Sequence, residues 1–326
     1  MTIAPAFAAD SVGDFYRGKR ITLVIGTGEG GGYDMTGRLA ARYLGRYLPG
    51  NPVVVPQNMT GASSVIAAQY VYNVAAKDGT VLGLFQPYIV LQKLTDASAR
   101  YQPEKFNWVG RVASNPTFGV IWHTSPVQTI EQAKARSIFL AGNSPSGLTA
   151  TIPWALNRVA GTKFNVVMGY TSAASEGLAM ERGEAQGVGN TSFDYLESRP
   201  DWLRDKKVKV LYTVALTRDP RAPDAPTVVE LAQDVRDKVA MELLASVSDI
   251  GRSLVSPPGT PPERVAALRR AFDAMAKDEG FIRDAARQKI EVRTLPGEEV
   301  QKIVQRDMEV PAEAVARMSE VTKPPR

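Results

Sequence analysis

The feature that most constrains this chain is the order of patterns near its beginning. Apolar runs at 21–25, 53–55 and 81–85 alternate with helical patterns at 34–48 and roughly 63–74. Successive strands joined by helical crossovers lie parallel, because each crossover returns the chain to the same end of the sheet. We therefore predict a parallel sheet with helices on both faces.

A second set of alternating patterns begins after Asn115 and Pro116. We predict strands at 118–122, 138–141, 165–168 and 208–215, and helices at 129–134, 152–159, 173–182 and 227–247. An extended proline-rich stretch, 251–261, then leads into a largely helical tail. This order predicts an α/β protein of two lobes with a ligand cleft between them. Lobe 1 would comprise 10–116 and 252–326, and lobe 2 would comprise 117–251.

The composition excludes several functional classes. The chain has no cysteine, which removes disulfides, thiolate metal sites and cysteine nucleophiles. Its 39 basic residues are scattered among 34 acidic ones, a pattern that does not favour nucleic-acid binding. Only Arg38, Arg42 and Arg46 align at helical spacing, and we expect them to form a solvated helix face.

The first nine residues have the pattern expected at the end of a secretory leader. Ala6, Phe7 and Ala8 supply the small-x-small pattern that signal peptidase accepts. We accordingly expect a cleaved leader and a periplasmic protein. The alternative is an alanine-rich tail without a targeting role.

The segment between the first strand and the first helix is rich in glycine. Gly26, Gly28 and Gly31 form a literal G-x-G-x-x-G, the pattern of dinucleotide-binding loops. Such a site also needs an acidic residue about 20 positions later to hold the ribose hydroxyls. No Asp or Glu lies between Asp34 and Asp78, and no Walker A pattern follows. We therefore predict no nucleotide and no other cofactor.

The same loop suits a different anion. Gly30, Gly31 and Gly32 can present backbone N–H groups at the start of a helix, where the dipole favours a carboxylate. Asp34 is expected to be the N-cap of this helix or, alternatively, to contact the ligand. Loops at 60–64 and 144–149 also precede helices, one in each predicted lobe.

Catalysis and metal binding have little support in the sequence. The single histidine, His123, lies beside Trp122 at a strand end. Ser144 is followed directly by proline and does not form the G-x-S-x-G turn of hydrolases. We predict no catalytic residue, no metal site and no enzymatic activity.

Three longer segments together resemble one family. They are FYRGKRITLVIGTGEGGGYDMTGRLAARYLGRYLPGNPVVVPQNMTGASSVIAAQYVYNVAAKDGTVLG, GYTSAASEGLAMERGEAQGVGNTSFDYL and PPGTPPERVAALRRAF. They are similar to segments of the periplasmic receptors of tripartite tricarboxylate transporters, the Bug family. The resemblance extends over nearly the whole chain.

The resemblance implies a type II periplasmic-binding-protein fold with two lobes and a hinge. It also implies an extracytoplasmic receptor that delivers a small organic acid to the membrane subunits of a transporter. We expect this receptor to close on its ligand and to be a monomer. By motif position it nominates a set of ligand-binding residues: Gly30, Gly31, Gly32, Tyr33, Asp34, Gly61, Ala62, Ser144, Ser146, Gly147, Tyr170, Thr171 and Asp194. We add Gln86, because ligands of open α/β sheets bind at the carboxyl ends of strands.

Two departures from the family pattern bear on the ligand. Glu29 replaces a small residue or proline, so it either faces solvent or binds a cationic or hydroxyl group of the ligand. Met59 stands where a basic residue is more usual, which favours a mono- or dicarboxylate over a tricarboxylate. An aromatic acid is one candidate, given Tyr33, Tyr88 and Phe193. The alternative functions are an orphan carboxylate receptor for signalling and an NAD(P)-dependent enzyme.

Overall fold

A computed structural model describes residues 11–96, 99–145, 147–170 and 172–325. The predicted leader, residues 1–9, lies outside them. Contacts divide the chain into two compact units. Unit 1 comprises Met1–Ile89, Ala97–Ser114 and Arg252–Val304, and unit 2 comprises Val90–Asp96, Asn115–Gly251 and Gln305–Arg326. Across the described residues, no helix combines the length and apolar character needed to cross a membrane.

Strands and helices alternate along most of the described chain. The strands are β1 (Arg20–Ile25), β2 (Val53–Asn58), β3 (Val81–Leu84), β4 (Asn107–Ala113), β5 (Thr117–Trp122), β6 (Ile138–Ala141), β7 (Phe164–Val167), β8 (Gly187–Ser192), β9 (Val208–Val214), β10 (Arg252–Ser256) and β11 (Leu295–Pro296). The helices are α1 (Val12–Tyr16), α2 (Gly32–Tyr47), α3 (Val65–Asn73), α4 (Tyr88–Thr95), α5 (Ile130–Ala135), α6 (Leu148–Val159), α7 (Ala173–Glu181), α8 (Phe193–Glu197), α9 (Pro200–Arg204), α10 (Val235–Ile250), α11 (Pro262–Met275), α12 (Glu279–Arg287), α13 (Gly297–Met308) and α14 (Ala312–Val321).

The sheet of unit 1 has the strand order β11-β4-β10-β3-β1-β2. Strands β2, β1 and β3 run parallel, as the sequence pattern predicts. The sheet as a whole is mixed, however, because β10 pairs antiparallel with both β3 and β4. Our interpretation of 251–261 as only an extended connection missed β10. Pro56 lies within β2, which is an edge strand and so tolerates the missing backbone donor.

The core of unit 1 forms where α2 packs on the parallel strands. Leu23 and Ile25 of β1 and Leu39 and Leu44 of α2 are completely buried. Burying a leucine side chain contributes about 1.5–3 kcal/mol, so this face fixes α2 against the sheet. A Cβ at Gly45 would lie 2.2 Å from the carbonyl oxygen of Pro52, so only glycine permits this approach of helix and loop.

The sheet of unit 2 has the order β7-β6-β8-β5-β9. Strands β7, β6 and β8 are parallel, whereas β5 pairs antiparallel with β8 and β9. The predicted helix at 227–247 is wrong in its first eight residues, because α10 begins only after its N-cap, Asp234. Before it, the backbone N–H of Thr227 donates to Glu230 Oε2 at 2.7 Å and forms a turn.

The last helix packs within unit 2. α14 contacts α10 and α6, and Arg317 Nε donates to Asp237 Oδ1 at 2.7 Å. Arg158 of α6 donates to the carbonyl oxygens of Val321 and Lys323, at 2.8 and 2.7 Å. The expected division placed all of 252–326 in the first lobe, but these contacts place α14 in unit 2. An amphipathic helix alone does not specify which apolar surface covers it.

Candidate functional site

Both units place their predicted binding loops at the carboxyl ends of parallel strands. In unit 1, Ile25 is in register with Asn58 of β2 and with Leu84 of β3, so the loops that follow share one edge of the sheet. In unit 2, β6 and β7 end in register at Ala141 and Val167, and β8 continues four residues beyond its last pairing with β6, to Ser192, in the same direction. Ligands of open α/β sheets bind at such edges.

The glycine loop of unit 1 leads directly into α2. Gly31 is the N-cap and Gly32 the first helical residue, and no side chain caps this end. Gly30 has φ +78°, a conformation that favours glycine. The first N–H groups of a helix have no acceptor within the helix, and the dipole there favours negative charge. Gly30 and Gly31 are exposed and Gly32 is half-buried.

Asp34 is the third residue of α2, so its prediction as the N-cap is wrong. The helix begins two residues earlier than expected, and the Asp34 carboxylate turns back to accept the N–H of Gly30 at 2.9 Å. It also accepts Arg38 Nε at 2.9 Å and Asn58 Nδ2 at 2.8 Å. The N–H of Gly30, which we expected to face a ligand, therefore already has an internal acceptor.

The electrostatics of Asp34 follow from these contacts. Its burial would raise the pKa of the carboxyl, but the hydrogen bonds from Arg38, Gly30 and Asn58 outweigh burial and hold the pKa below the usual range. Arg38 and Asn58 were missed by sequence reasoning. The i,i+4 spacing of Asp34 and Arg38 is the signal that could have identified the pair.

Arg38 and Asn58 extend this network across two loops. Arg38 donates to Asn58 Oδ1 at 2.8 Å, and Asn58 Nδ2 donates to the carbonyl oxygen of Thr27 at 2.9 Å. Arg38 remains exposed, as do Arg42 and Arg46, which is the solvated helix face that we predicted. Glu29 is also exposed.

The second loop of unit 1 has an unusual backbone. Ala62, Ser63 and Ser64 have φ values of +44°, +50° and +76°, so three consecutive residues with side chains adopt left-handed conformations. Each such residue costs on the order of 1–2 kcal/mol, and such strain is concentrated at functional sites. Gly61 precedes them at φ +132°, and Ala62 is exposed.

Ser64 connects this turn to the other two loops of unit 1. Its Oγ donates to the carbonyl oxygen of Gly26 at 3.0 Å and accepts the N–H of Gln86 at 3.1 Å. Gln86 lies two residues after β3 and is half-buried. The structure thus brings together the ends of β1 and β3 and the turn that follows β2.

The first loop of unit 2 is organised by an amide side chain. Asn143 Oδ1 accepts the N–H of Ser144 at 2.6 Å and Thr149 Oγ1 at 2.9 Å. Gly147 is the N-cap of α6, and neither a side-chain cap nor an acidic residue is present in its first turn. A Cβ at Gly147 would lie 2.0 Å from Asn143 Oδ1, so a side chain here would displace the Asn143 amide from its present position. Sequence reasoning identified Ser144 and Gly147 but missed Asn143.

The loop after β7 meets the loop after β6. The N–H of Tyr170 donates to the carbonyl oxygen of Gly142 at 3.2 Å, and its hydroxyl lies 3.5 Å from Glu184 Oε2. The backbone of Tyr170 therefore links the loops that follow β6 and β7. Ser146 and Thr171, which we also predicted, lie outside the described residues.

Asp194 is the second residue of α8, which follows β8 directly. Beside it, the Arg221 guanidinium lies 4.2 Å from the centroid of the Phe193 ring. Arg221 is held by two 2.8 Å hydrogen bonds to the buried carboxylate of Asp219. Arg221 was missed because it lies in an irregular segment between β9 and α10 that has no periodic pattern.

A buried acid also lies in the first turn of α7. Glu176 is 4% exposed, and within the described residues its Oε1 has no hydrogen-bond partner. Burial raises the pKa of Glu176 to about 7. Among the residues described here, no group of three or more His, Asp or Glu side chains could hold a metal ion.

The fold can be compared with solved structures. A TctC solute binding protein from Polaromonas superposes with a TM-score of 0.71 at 21% identity, over 94% of this chain and 99% of that protein. The periplasmic binding protein BugD gives 0.66 at 18% identity, over 94% and 99%. An R. palustris protein solved with adipate gives 0.63 at 21% identity, over 93% and 96%. The chain has the fold of these binding proteins.

The periplasmic-binding-protein fold predicted from the sequence is therefore confirmed, and the structural likeness agrees with the resemblance to Bug receptors. None of these three structures is described as an enzyme. No family model matches the chain, and no curated protein matches it by sequence.

Proposed function

We propose that this protein is an extracytoplasmic solute-binding protein that captures a small organic carboxylate by hinge closure and delivers it to a tripartite tricarboxylate-type membrane transporter. The observation that carries the proposal is the pair of helix starts at Gly31 and Gly147. Each follows a parallel strand in its own unit and lacks a side-chain cap. Such ends bind anions through main-chain N–H groups.

The binding energy can come from uncharged donors. A hydrogen bond to a charged group contributes about 1.5–3 kcal/mol, and a micromolar Kd corresponds to about 8 kcal/mol. Three or four main-chain or hydroxyl donors could therefore supply most of this affinity before ordering costs. No Lys or Arg occurs in the segments 26–34, 59–64, 142–147 and 168–172.

In unit 1 we propose that the carboxylate binds Gly31, Gly32, Gly61 and Ala62, beside Tyr33 and Gln86. Unit 2 would contribute Ser144, Ser146, Gly147, Tyr170, Thr171 and Asp194. We propose that Gly30 and Asp34 hold the loop in place without contacting the ligand, because the N–H of Gly30 donates to the Asp34 carboxylate. Adipate, a dicarboxylate, accompanies one solved structure of this fold, which supports a dicarboxylate as the first candidate here.

The cellular setting is part of the proposal. The small-x-small motif at Ala6–Phe7–Ala8 and the periplasmic proteins that share this fold support export and a cleaved leader. We propose a monomeric receptor whose partners are its acid ligand and the membrane subunits.

Isothermal titration calorimetry against a panel of adipate, succinate, benzoate and citrate tests the proposal, with NAD and ATP as negative controls. Native mass spectrometry of the purified protein would reveal co-purified acids. We expect heat from at least one mono- or dicarboxylate. Heat from a nucleotide and none from any acid would contradict the proposal.

A variant at Gly31 separates binding from folding. A Cβ at this position meets no atom within 4 Å, so a side chain fits. Gly31→Asp places a carboxylate at the N-cap, where it competes with the ligand while changing stability by less than about 1 kcal/mol. We expect affinity to fall by about 30-fold or more in G31D and by less than about threefold in the control G31A. Equal affinities in both variants would show that no anion binds here.

A further inference from the structure

We propose that Ser64 is a positioning residue that fixes the three strand-end loops of unit 1 relative to one another. The inference rests on the proposed function, since these loops contain the main-chain groups assigned to the carboxylate. Ser64 is 1% exposed and therefore cannot itself reach a ligand in solvent. Any effect of Ser64 on ligand binding must therefore be exerted through the groups that it contacts.

The two hydrogen bonds of Ser64 reach both neighbouring loops. Its hydroxyl donates to the carbonyl oxygen of Gly26, at the start of the glycine loop, and accepts the N–H of Gln86, after β3. Ser64 itself ends the turn that contains Gly61 and Ala62. A single hydroxyl thus links all three loops, and removing it leaves two backbone groups without this partner.

The hydrogen bonds of the Ser64 hydroxyl offset the cost of its left-handed backbone conformation. Ser64 has φ +76°, where glycine would be free of strain. A serine at this position retains a cost of about 1 kcal/mol that its hydrogen bonds have to outweigh. Ser63, in the same turn at φ +50°, is exposed and provides a matched comparison.

Gly26 is complementary to Ser64. A Cβ at Gly26 would lie 2.6 Å from both Cβ and Oγ of Ser64, closer than real side-chain contacts allow. A methyl group at Gly26 would therefore displace the hydroxyl without removing it. Substitutions at Gly26 and at Ser64 are therefore two independent ways to break the hydrogen bonds of the Ser64 hydroxyl.

The experiment compares wild type, S64A, S64G, G26A, G26A/S64G and the control S63A. Amide hydrogen exchange at Gln86 reports the link directly, calorimetry with adipate and succinate reports affinity, and thermal melting reports stability. We expect Gln86 to exchange about tenfold faster in S64A, S64G and G26A, and at the wild-type rate in S63A. Affinity should fall about tenfold in S64A and S64G.

The separation of stability from affinity distinguishes positioning from a general structural role. S64G relieves the left-handed strain, so its melting temperature should exceed that of S64A while its affinity stays as low. G26A should cost less in the S64G background than in wild type, because the two 2.6 Å contacts with the Ser64 side chain are absent there and only the 3.3 Å contact with its Cα remains.

Several results would overturn the inference. Unchanged exchange at Gln86 in S64A, or wild-type affinity in S64G, would show that Ser64 does not position the loops. If wild type binds none of the tested acids, the proposed function fails, and exchange at Gln86 still decides whether Ser64 links the loops.

Discussion

Asp34 in unit 1 and Glu176 in unit 2 are both buried carboxyls in the first turn of a helix that follows a parallel strand. Their pKa values nevertheless move in opposite directions. Asp34 accepts hydrogen bonds from Gly30, Arg38 and Asn58, and its pKa is lowered. Glu176 Oε1 has no hydrogen-bond partner among the described residues, and burial raises the pKa of Glu176 to about 7.

The two directions follow burial and hydrogen bonding, although both carboxyls lie at the start of a helix. The dipole favours the ionised form by about 0.3–1 kcal/mol at both positions. Burial opposes ionisation at both, and only specific donors reverse it. The stabilisation that Asp34 gives unit 1 is therefore expected to disappear at acidic pH, whereas the contribution of Glu176 to unit 2 is expected to fall as pH rises from 4.5 to about 7.

The largest effect is expected from removal of the Asp34 carboxylate. D34A leaves Arg38, Asn58 and the N–H of Gly30 without their shared acceptor, so we expect unit 1 to lose about 3 kcal/mol. Amide exchange on peptides of unit 1 at pH 7 measures this loss. E29A is the matched control, since Glu29 is an exposed acid of the same loop, and it should change stability by less than about 0.5 kcal/mol.

The same variant has a defined pH dependence. A lowered pKa means that the stabilisation by Asp34 is present above the unfolded value of 3.8 and disappears as pH falls through the folded-state pKa. The difference between wild type and D34A should therefore shrink below pH 3.8. A difference that stays constant down to pH 2 would contradict this account of Asp34.

Glu176 gives the next largest effect. Its raised pKa means that the folded state holds the proton more tightly, so stability is greatest below 4.5 and falls as pH rises to about 7. E176Q imitates the protonated form and should stabilise unit 2 by on the order of 2 kcal/mol at pH 8 and negligibly at pH 4.5. Exchange on unit 2 peptides at the two pH values checks this. A gain of equal size at both would refute the titration of Glu176.

The smallest effect on stability is expected from N143D. This substitution places a carboxylate near the start of α6, as Asp34 does near the start of α2. N143D keeps the oxygen that accepts from Ser144 and Thr149, so stability should change by less than about 1 kcal/mol. The new charge near the start of α6 should lower affinity for an acid about tenfold by calorimetry. N143A, which removes the acceptor, should instead lower stability by about 2 kcal/mol. Unaltered affinity in N143D would mean that no anion binds near α6.

Much of the fold follows from the sequence because periodicity and strand order are local signals. The parallel strands β1, β2 and β3 and the helix α2 were predicted within three residues at each end. The antiparallel strand β10 was not, because its pairing with β3 and β4 depends on residues far apart in sequence. The periodic pattern also predicted a helix from 227, whereas α10 begins at Val235 and a turn precedes it.

The candidate site could be predicted at the level of loops but not of individual contacts. Glycine-rich loops were predicted before both α2 and α6, but their boundaries were not predicted correctly. The predicted loop 144–149 overlaps α6, which begins at Leu148. α2 begins two residues before the predicted 34, which makes Asp34 an internal acceptor and not a cap. Asn143 and Arg221 were missed although their hydrogen-bond partners lie close in sequence, because both residues stand in irregular segments without a periodic pattern. Ser146 and Thr171 stay predictions.

The packing of α14 against α6 and α10 has a practical consequence for protein engineering. An affinity tag or fluorophore attached near the carboxyl terminus would be carried by unit 2, whereas one on α1 would be carried by unit 1. A dye pair at these two places would therefore report on both units from positions away from the glycine loops. A chain shortened to end before Ala312 would uncover the apolar faces of α6 and α10 and would be prone to aggregation.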